Sequence, residues 1–224
     1  MTINKTPFLA LCLIGAALPL VSQATIYSLD ITSNGGEDAY TPGAGVFGTA
    51  STVWNEQRRI ASPGNLALVD DTGAASSVTV SYGREVSVGV SGVTGTFASL
   101  GISGGSIDGQ VYIGGLTAGV SYDLAVYGNA AADASTLSFT VGSTTQSIIT
   151  SLDWSTLILG THYTVFHTVA DGSGEISFYG DNWTAFQLQP TPVPEPAETA
   201  SVLGLLGLGA AGWMRRRRDS RSAE

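Results

Sequence analysis

Val78-Thr79-Val80-Ser81-Tyr82 and Val86-Ser87-Val88-Gly89-Val90, parted by Gly83-Arg84-Glu85, alternate apolar and small or polar residues with a period of two. That spacing sends one set of side chains into a core and the other toward water, so it predicts two β-strands on either side of a turn. The pattern recurs in Val111 with Ile113, in Tyr122, Leu124 and Val126, in Leu137, Phe139 and Val141, in Tyr163, Val165, His167 and Val169, and in Ile176 with Phe178. Within Trp183 to Gln189, Thr184, Phe186 and Leu188 predict a closing strand. Asp71-Thr72-Gly73, Ser91-Gly92, Gly114-Gly115, Gly128-Asn129 and Asp171-Gly172-Ser173-Gly174 supply turns between these runs. No stretch between residues 25 and 189 has a convincing 3.6-residue period. Residues 151–160 read as a loop or one helical turn, and the glycine-rich stretch 33–52 as a long loop. Many short strands joined by glycine turns predict an all-β sandwich or barrel. Alternation with one wet side predicts antiparallel pairing.

Leu116-Thr117-Ala118-Gly119-Val120-Ser121-Tyr122 resembles the Leu-x-Pro-Gly-x-x-Tyr stretch of fibronectin type III and related sandwiches, with Ala118 where proline is usual. The resemblance implies that the Tyr122 hydroxyl bonds back to the backbone at a corner. The expected fold is therefore an antiparallel β-sandwich, jelly-roll or fibronectin/Ig-like, over residues 25–189.

Residues 1–24 have the layout of a secretory signal peptide: Lys5, the apolar run Phe8 to Val21, then the small residues Ser22 and Ala24. Cys12 is the sole cysteine and lies in that run, so no disulfide is expected in the exported domain. A lipoprotein reading fails, because Leu11 is too large before the cysteine and the apolar stretch ahead of it is too short. Residues 25–189 carry fourteen acids against Arg58, Arg59 and Arg84, a net charge of minus eleven. Such a surface repels phosphate backbones and excludes nucleic acid as a partner.

The other end opens with a proline-rich linker over residues 190–198, which contains Val193-Pro194-Glu195-Pro196. Residues 199–214 follow as an uncharged apolar run, and residues 215–224 begin with Arg215, Arg216, Arg217 and Arg218. An apolar segment approaching twenty residues is a short but feasible membrane helix. The arginine cluster places the C-terminus in the cytoplasm and the rest of the chain outside. Pro194-Glu195-Pro196, the apolar run and the arginine cluster, in that order, resemble the PEP-CTERM sorting signal of Gram-negative bacteria. The resemblance implies recognition and cleavage by an exosortase, an integral membrane processing enzyme. It also implies a route through the inner membrane to the cell surface or medium, and an association with exopolysaccharide and biofilm matrix. A permanent one-span anchor behind an accessible stalk is the other reading.

Chemistry is sparse in the expected domain. His162 and His167 lie five residues apart and would face opposite ways on one strand. His167 shares its parity with Tyr163, Val165 and Val169, so it is expected to be partly buried and hydrogen-bonded, with His162 the freer of the two. No Gly-x-Ser-x-Gly elbow precedes a helix, and Gly101-Ile102-Ser103-Gly104-Gly105 has the wrong spacing. The domain is expected not to be an enzyme. A small polysaccharide hydrolase working through two facing carboxylates is the alternative.

No cofactor is expected unless calcium, the ion that suits carboxylates on loops. Its candidate ligands are Asp171, Ser173 and Glu175, with Asp70 and Asp71 as a second pair, although a plain hairpin turn explains Asp171 to Glu175 more simply. Trp54, Trp154, Trp183, Tyr40 and Tyr179 are the aromatic residues able to stack on a sugar if exposed. Trp54 with Asn55, and Asn182 with Trp183, come first as polysaccharide contacts, because an amide beside an indole can bond sugar hydroxyls. Arg58 and Arg59 read as an ion-pair site or an anionic-polymer contact.

Overall fold

The computed structural model describes residues 24–32, 45–58, 65–83, 85–86, 96–97, 106–128 and 134–192. The expected signal peptide, the Pro194 to Pro196 motif, the apolar run, Arg215 to Arg218, Arg59, Tyr40 and the strand positions Val88 and Val90 lie outside the described residues.

The described residues form eleven strands and no helix: β1 (Tyr27–Thr32), β2 (Asn55–Arg58), β3 (Leu66–Val69), β4 (Ala75–Tyr82), β5 (Glu85–Val86), β6 (Ser106–Gly114), β7 (Ser121–Gly128), β8 (Thr136–Val141), β9 (Thr144–Ile149), β10 (Tyr163–Val169) and β11 (Ile176–Pro190). All join one continuous sheet, nearly closed into a barrel. Its pairing is mixed. β1 and β2 run parallel, with Leu29 opposite Asn55 and Asp30 opposite Glu56, which corrects the expectation of purely antiparallel strands.

β11 organises the sheet. The two runs expected around Phe178 and Phe186 are one fifteen-residue strand, which extends to Pro190 and into the expected linker. Its first part pairs with β6 on one side and β8 on the other, and its second part with β7 and β1. The change of neighbours falls at a bulge between Gly180 and Trp183. Asn182 takes a left-handed φ of 49° there, a conformation that asparagine tolerates better than most residues. Its N–H donates to Asp108 Oδ1 at 2.6 Å.

The main core holds Leu29, Val80, Ile113, Leu124, Val126, Phe139, Phe178, Trp183, Phe186 and Leu188, all with no exposed surface or nearly none. A second, smaller cluster lies on the opposite side of β7 and β11, where Trp54, Ala125, Tyr127, Trp154 and Ala185 are buried with Val46, Phe47, Tyr163 and Val165 against them. As a result β7 is buried along both faces from Tyr122 to Gly128. At the seam between β9 and β10, Gln146 donates from Nε2 to the Val165 carbonyl at 3.1 Å and accepts from Thr164 Oγ1. A side chain thus bridges two strands that form no ladder with each other.

The Tyr122 corner forms as its motif implies. The buried Tyr122 hydroxyl accepts from the Thr117 N–H at 3.2 Å, and Gly119 N–H is held by the Ala170 carbonyl at 2.9 Å.

Candidate functional site

The outward side of β4, β6, β11, β8 and β9 is an open strip of mainly hydroxyl and amide side chains, with Ile149 exposed at the far end of β9. One row across the strands runs Ser81, Tyr112 and Ser177; the next runs Gln110, Tyr179, Thr140 and Thr145. These positions are the polar halves of the alternation whose apolar halves, Val80, Val111, Ile113 and Phe178, fill the core. Tyr112 is 44% exposed and Tyr179 46% exposed, which makes them the two large aromatic side chains on this side. Since Tyr112 is opposite Ser177 and Tyr179 opposite Gln110, the tyrosines are diagonal neighbours, about 7–8 Å apart.

The hydroxyls of this strip also bond one another across β8 and β9. Thr140 Oγ1 and Thr145 Oγ1 are 2.9 Å apart, and Ser138 Oγ and Ser147 Oγ 3.1 Å. Neither row contains a charged residue. Among the described residues, carboxylates stand at the ends: Asp108 and Asp181 where β6 begins, and Glu175 just before β11. A single exposed tyrosine on a sheet is ordinary. Two in diagonal register on an uncharged, hydroxyl-rich strip form a surface with apolar ring faces and hydrogen-bonding groups around them. Such a surface can hold a polyhydroxylated chain, and the strip itself offers no acid and base pair to cleave one.

The tryptophans first chosen for sugar stacking are not available for it. Trp183 has no exposed surface, because the bulge turns it into the core, where it packs edge-on against Tyr82 at 5.8 Å and Phe178 at 5.4 Å. Asn182 forms the bulge itself, its backbone N–H on Asp108. Trp54 is buried edge-on to Tyr127 at 6.1 Å. Asn55 ties three strands together, with Nδ2 donating to the carbonyls of Ser28 and Val69 and Oδ1 accepting from Val69 N–H. Trp154 is buried on His162, ring centres 4.5 Å apart, and donates to the Ser151 carbonyl. Of these aromatic candidates, Tyr179 alone among the described residues reaches solvent. Tyr112 escaped the sequence reading, although its place between Val111 and Ile113 marks it as outward-facing.

The histidines exchange the roles expected of them. His162 is fully buried, Nδ1 accepts from Ile158 N–H at 3.0 Å, and burial holds its pKa below the ordinary range. His167 has an open side chain and Nδ1 lies 2.6 Å from Asp123 Oδ1, which also accepts from Thr191 Oγ1. Parity misled because the main core takes Phe166 and Thr164 from β10, while Tyr163 and Val165 pack on the second cluster.

Asp171, the first of the expected calcium ligands, is exposed and caps its own turn. Its Oδ1 accepts from Ser173 N–H, Ser173 Oγ and Glu175 N–H at 2.7–2.9 Å. Asp70 does the same with Thr72 N–H, Thr72 Oγ1 and Ala74 N–H. The two Asp-x-Ser/Thr-Gly turns are copies, each with a left-handed glycine, Gly73 at φ 85° and Gly174 at φ 75°. These bonds, led by the Ser173 and Thr72 hydroxyls, hold both carboxyls below their usual range. Among the described residues no three carboxylate, histidine or cysteine side chains converge.

A buried polar layer lies on the far side of β1 and β11. Gln187 Oε1 accepts from Phe47 N–H and the Tyr127 hydroxyl, and its Nε2 donates to Ser28 Oγ and the Phe47 carbonyl. Beside it Asp30 is fully buried with Oδ1 unpartnered, and burial, with Glu56 adding, holds its carboxyl well above the ordinary range. In this position it is closed to a substrate, so Asp30 and Glu56 do not make the facing pair that a glycosidase needs.

Compared with protein-family models, with curated proteins and with solved structures, the chain matches none.

Proposed function

We propose that this is an exported, non-enzymatic protein of the cell surface or extracellular matrix, which associates with polysaccharide through the Tyr112 and Tyr179 strip. The observation that carries the reading is the pair of half-exposed tyrosines in diagonal register on an uncharged surface. Tyrosine ring faces are apolar and their hydroxyl rims polar, matching the two-sided surface of a sugar ring.

The route rests on the two ends of the sequence. Residues 1–24 direct export, and Pro194, Glu195 and Pro196 with Arg215 to Arg218 mark the tail for an exosortase-type enzyme. Residues 199–214 hold the chain in the inner membrane until processing. The fold that goes with this reading is a sandwich whose two layers share β11, supported by the strand's change of neighbours and by the Tyr122 corner.

Retention of the full chain, purified in detergent, on immobilised polysaccharides tests the contact surface. Joint replacement of Tyr112 and Tyr179 by serine is expected to abolish retention while the far-ultraviolet spectrum stays unchanged and the protein still melts cooperatively above the assay temperature. Unaltered retention would refute the strip as the contact. Release of reducing ends, lost on substituting one Asp or Glu, would refute the non-enzymatic role.

A further inference from the structure

We infer that the strip takes a single uncharged polysaccharide chain, laid diagonally across β6 and β11 so that one chain stacks on both tyrosines; this rests on the polysaccharide reading above. Two features point to one chain. The tyrosines lie on adjacent strands and in adjacent rows, a diagonal spacing of about 7–8 Å. Each also has a polar neighbour directly across the ladder, Ser177 beside Tyr112 and Gln110 beside Tyr179. A polymer following that diagonal crosses both rings, with the Ser177 hydroxyl on one flank and the Gln110 amide on the other.

Electrostatics select the uncharged class. The two rows, Ser81, Tyr112, Ser177 and Gln110, Tyr179, Thr140, Thr145, contain no cation to hold a carboxylate or sulfate. Acids flank the two rows along the strands, Asp108 and Asp181 beyond the Gln110 row and Glu175 beyond the Ser177 row, in a domain with a net charge of minus eleven. An anionic polymer long enough to cover both tyrosines would approach these carboxylates, within about 10 Å, where salt near 0.1 M screens incompletely. A protein partner fits less well, because among the described residues hydroxyls and amides surround the two tyrosines, the exposed Ile149 stands apart at the far end of β9, and interface cores are more apolar than that.

The experiment uses the full chain in detergent with matched polymers: β-glucan, α-glucan and galactomannan, each neutral and carboxymethylated, and the corresponding oligosaccharides of increasing length. At low salt at least one neutral polymer should bind at least about tenfold more tightly than its carboxymethylated form, a gap that narrows as salt is added. With that sugar, affinity should step up at the length that reaches both rings. Tyr112→Ser or Tyr179→Ser alone should remove the step while leaving the affinity of the shorter oligomers within about twofold for one of the two variants.

Equal or tighter binding of the carboxymethylated form overturns the uncharged-ligand inference and leaves polysaccharide association standing. Affinity independent of length overturns the single-chain geometry. Binding to no polymer of the panel, or binding that survives the double serine variant, sinks the inference and the function reading together. Cooperative melting of the variants above the assay temperature ensures that lost binding is not lost folding.

Discussion

The two parts of β11 follow the same alternation and meet opposite fates. Before the bulge, the side chains facing away from the main core, Ser177 and Tyr179, remain in contact with solvent. After it, Ala185 and Gln187 on the corresponding side are fully buried. The difference comes from segment 45–54. Val46 and Phe47 pack on the second cluster with Trp54, and Gln187 binds both polar groups of the Phe47 backbone. Period two therefore decides which residues share a side of the strand. Whether that side is wet depends on which other part of the chain covers it.

The main core should be the most costly place to intervene. Trp183 is enclosed by Tyr82, Phe178 and Phe186, so Trp183→Ala should lower unfolding free energy by about 3–5 kcal/mol, the range for deleting a large buried ring. Urea denaturation measures it. A loss under about 1 kcal/mol would mean that the bulge does not anchor this ring in the core, and that the two parts of β11 differ less than their burial indicates.

On the covered side the same strand is held by hydrogen bonds, and a smaller loss follows. The Gln187 amide uses two acceptor bonds and two donor bonds on Phe47, Tyr127 and Ser28. Gln187→Leu keeps the bulk but strands those partners, at a cost of about 1–3 kcal/mol. Hydrogen exchange at Phe47 N–H should quicken in the variant. If it does not, the cover over β11 is held by packing alone.

Asp30 makes that covered side sensitive to pH. Its folded carboxyl lies well above the ordinary range through burial, with Glu56 across β2 adding repulsion, and no cation among the described residues offsets it. A raised folded pKa means stability that is full below the unfolded value near 3.9 and is lost as pH rises through the folded pKa. Asp30→Asn should flatten that decline in urea midpoints measured upward from about pH 4. His162, lowered by burial, acts with the opposite sign and weakens the fold as pH drops below about 6.5. It is present in both proteins and cancels in the difference. Parallel pH curves for wild type and variant would show that the buried carboxyl is not coupled to folding.

What the sequence revealed, and what it concealed, follows the same division. Val78 to Tyr82, Leu137 to Val141 and the Tyr122 corner were readable, because each announces itself within a few residues. β9, Thr-Thr-Gln-Ser-Ile-Ile, was not, since its inward residue Ile148 stands among polar neighbours and gains its burial from β8. Trp183 looked exposed beside Asp181 and Asn182, but those polar residues belong to the bulge that turns the ring inward. The twin turns at Asp70 and Asp171 were visible as turns, although the shared hydrogen-bond pattern that ties up each carboxylate needed coordinates. Tyr179 was legible as an aromatic candidate. Its pairing with Tyr112 depends on the register of β6 against β11, which no local pattern encodes.

The open part of β11 should give the smallest effect on stability, and that smallness sharpens the contrast. Tyr112 and Tyr179 already meet solvent across nearly half their surface, and their ladder partners are small or polar, so serine at either position removes only cross-strand contact and no core packing. Each substitution should lower unfolding free energy by no more than about 1 kcal/mol, the upper end of what cross-strand packing gives an aromatic side chain on a sheet. If both variants melt with the wild type, these rings are dispensable to the fold and their exposure is available for binding. A loss as large as that of Gln187→Leu would instead make Tyr179 a packing residue, and the two parts of β11 would then be covered alike.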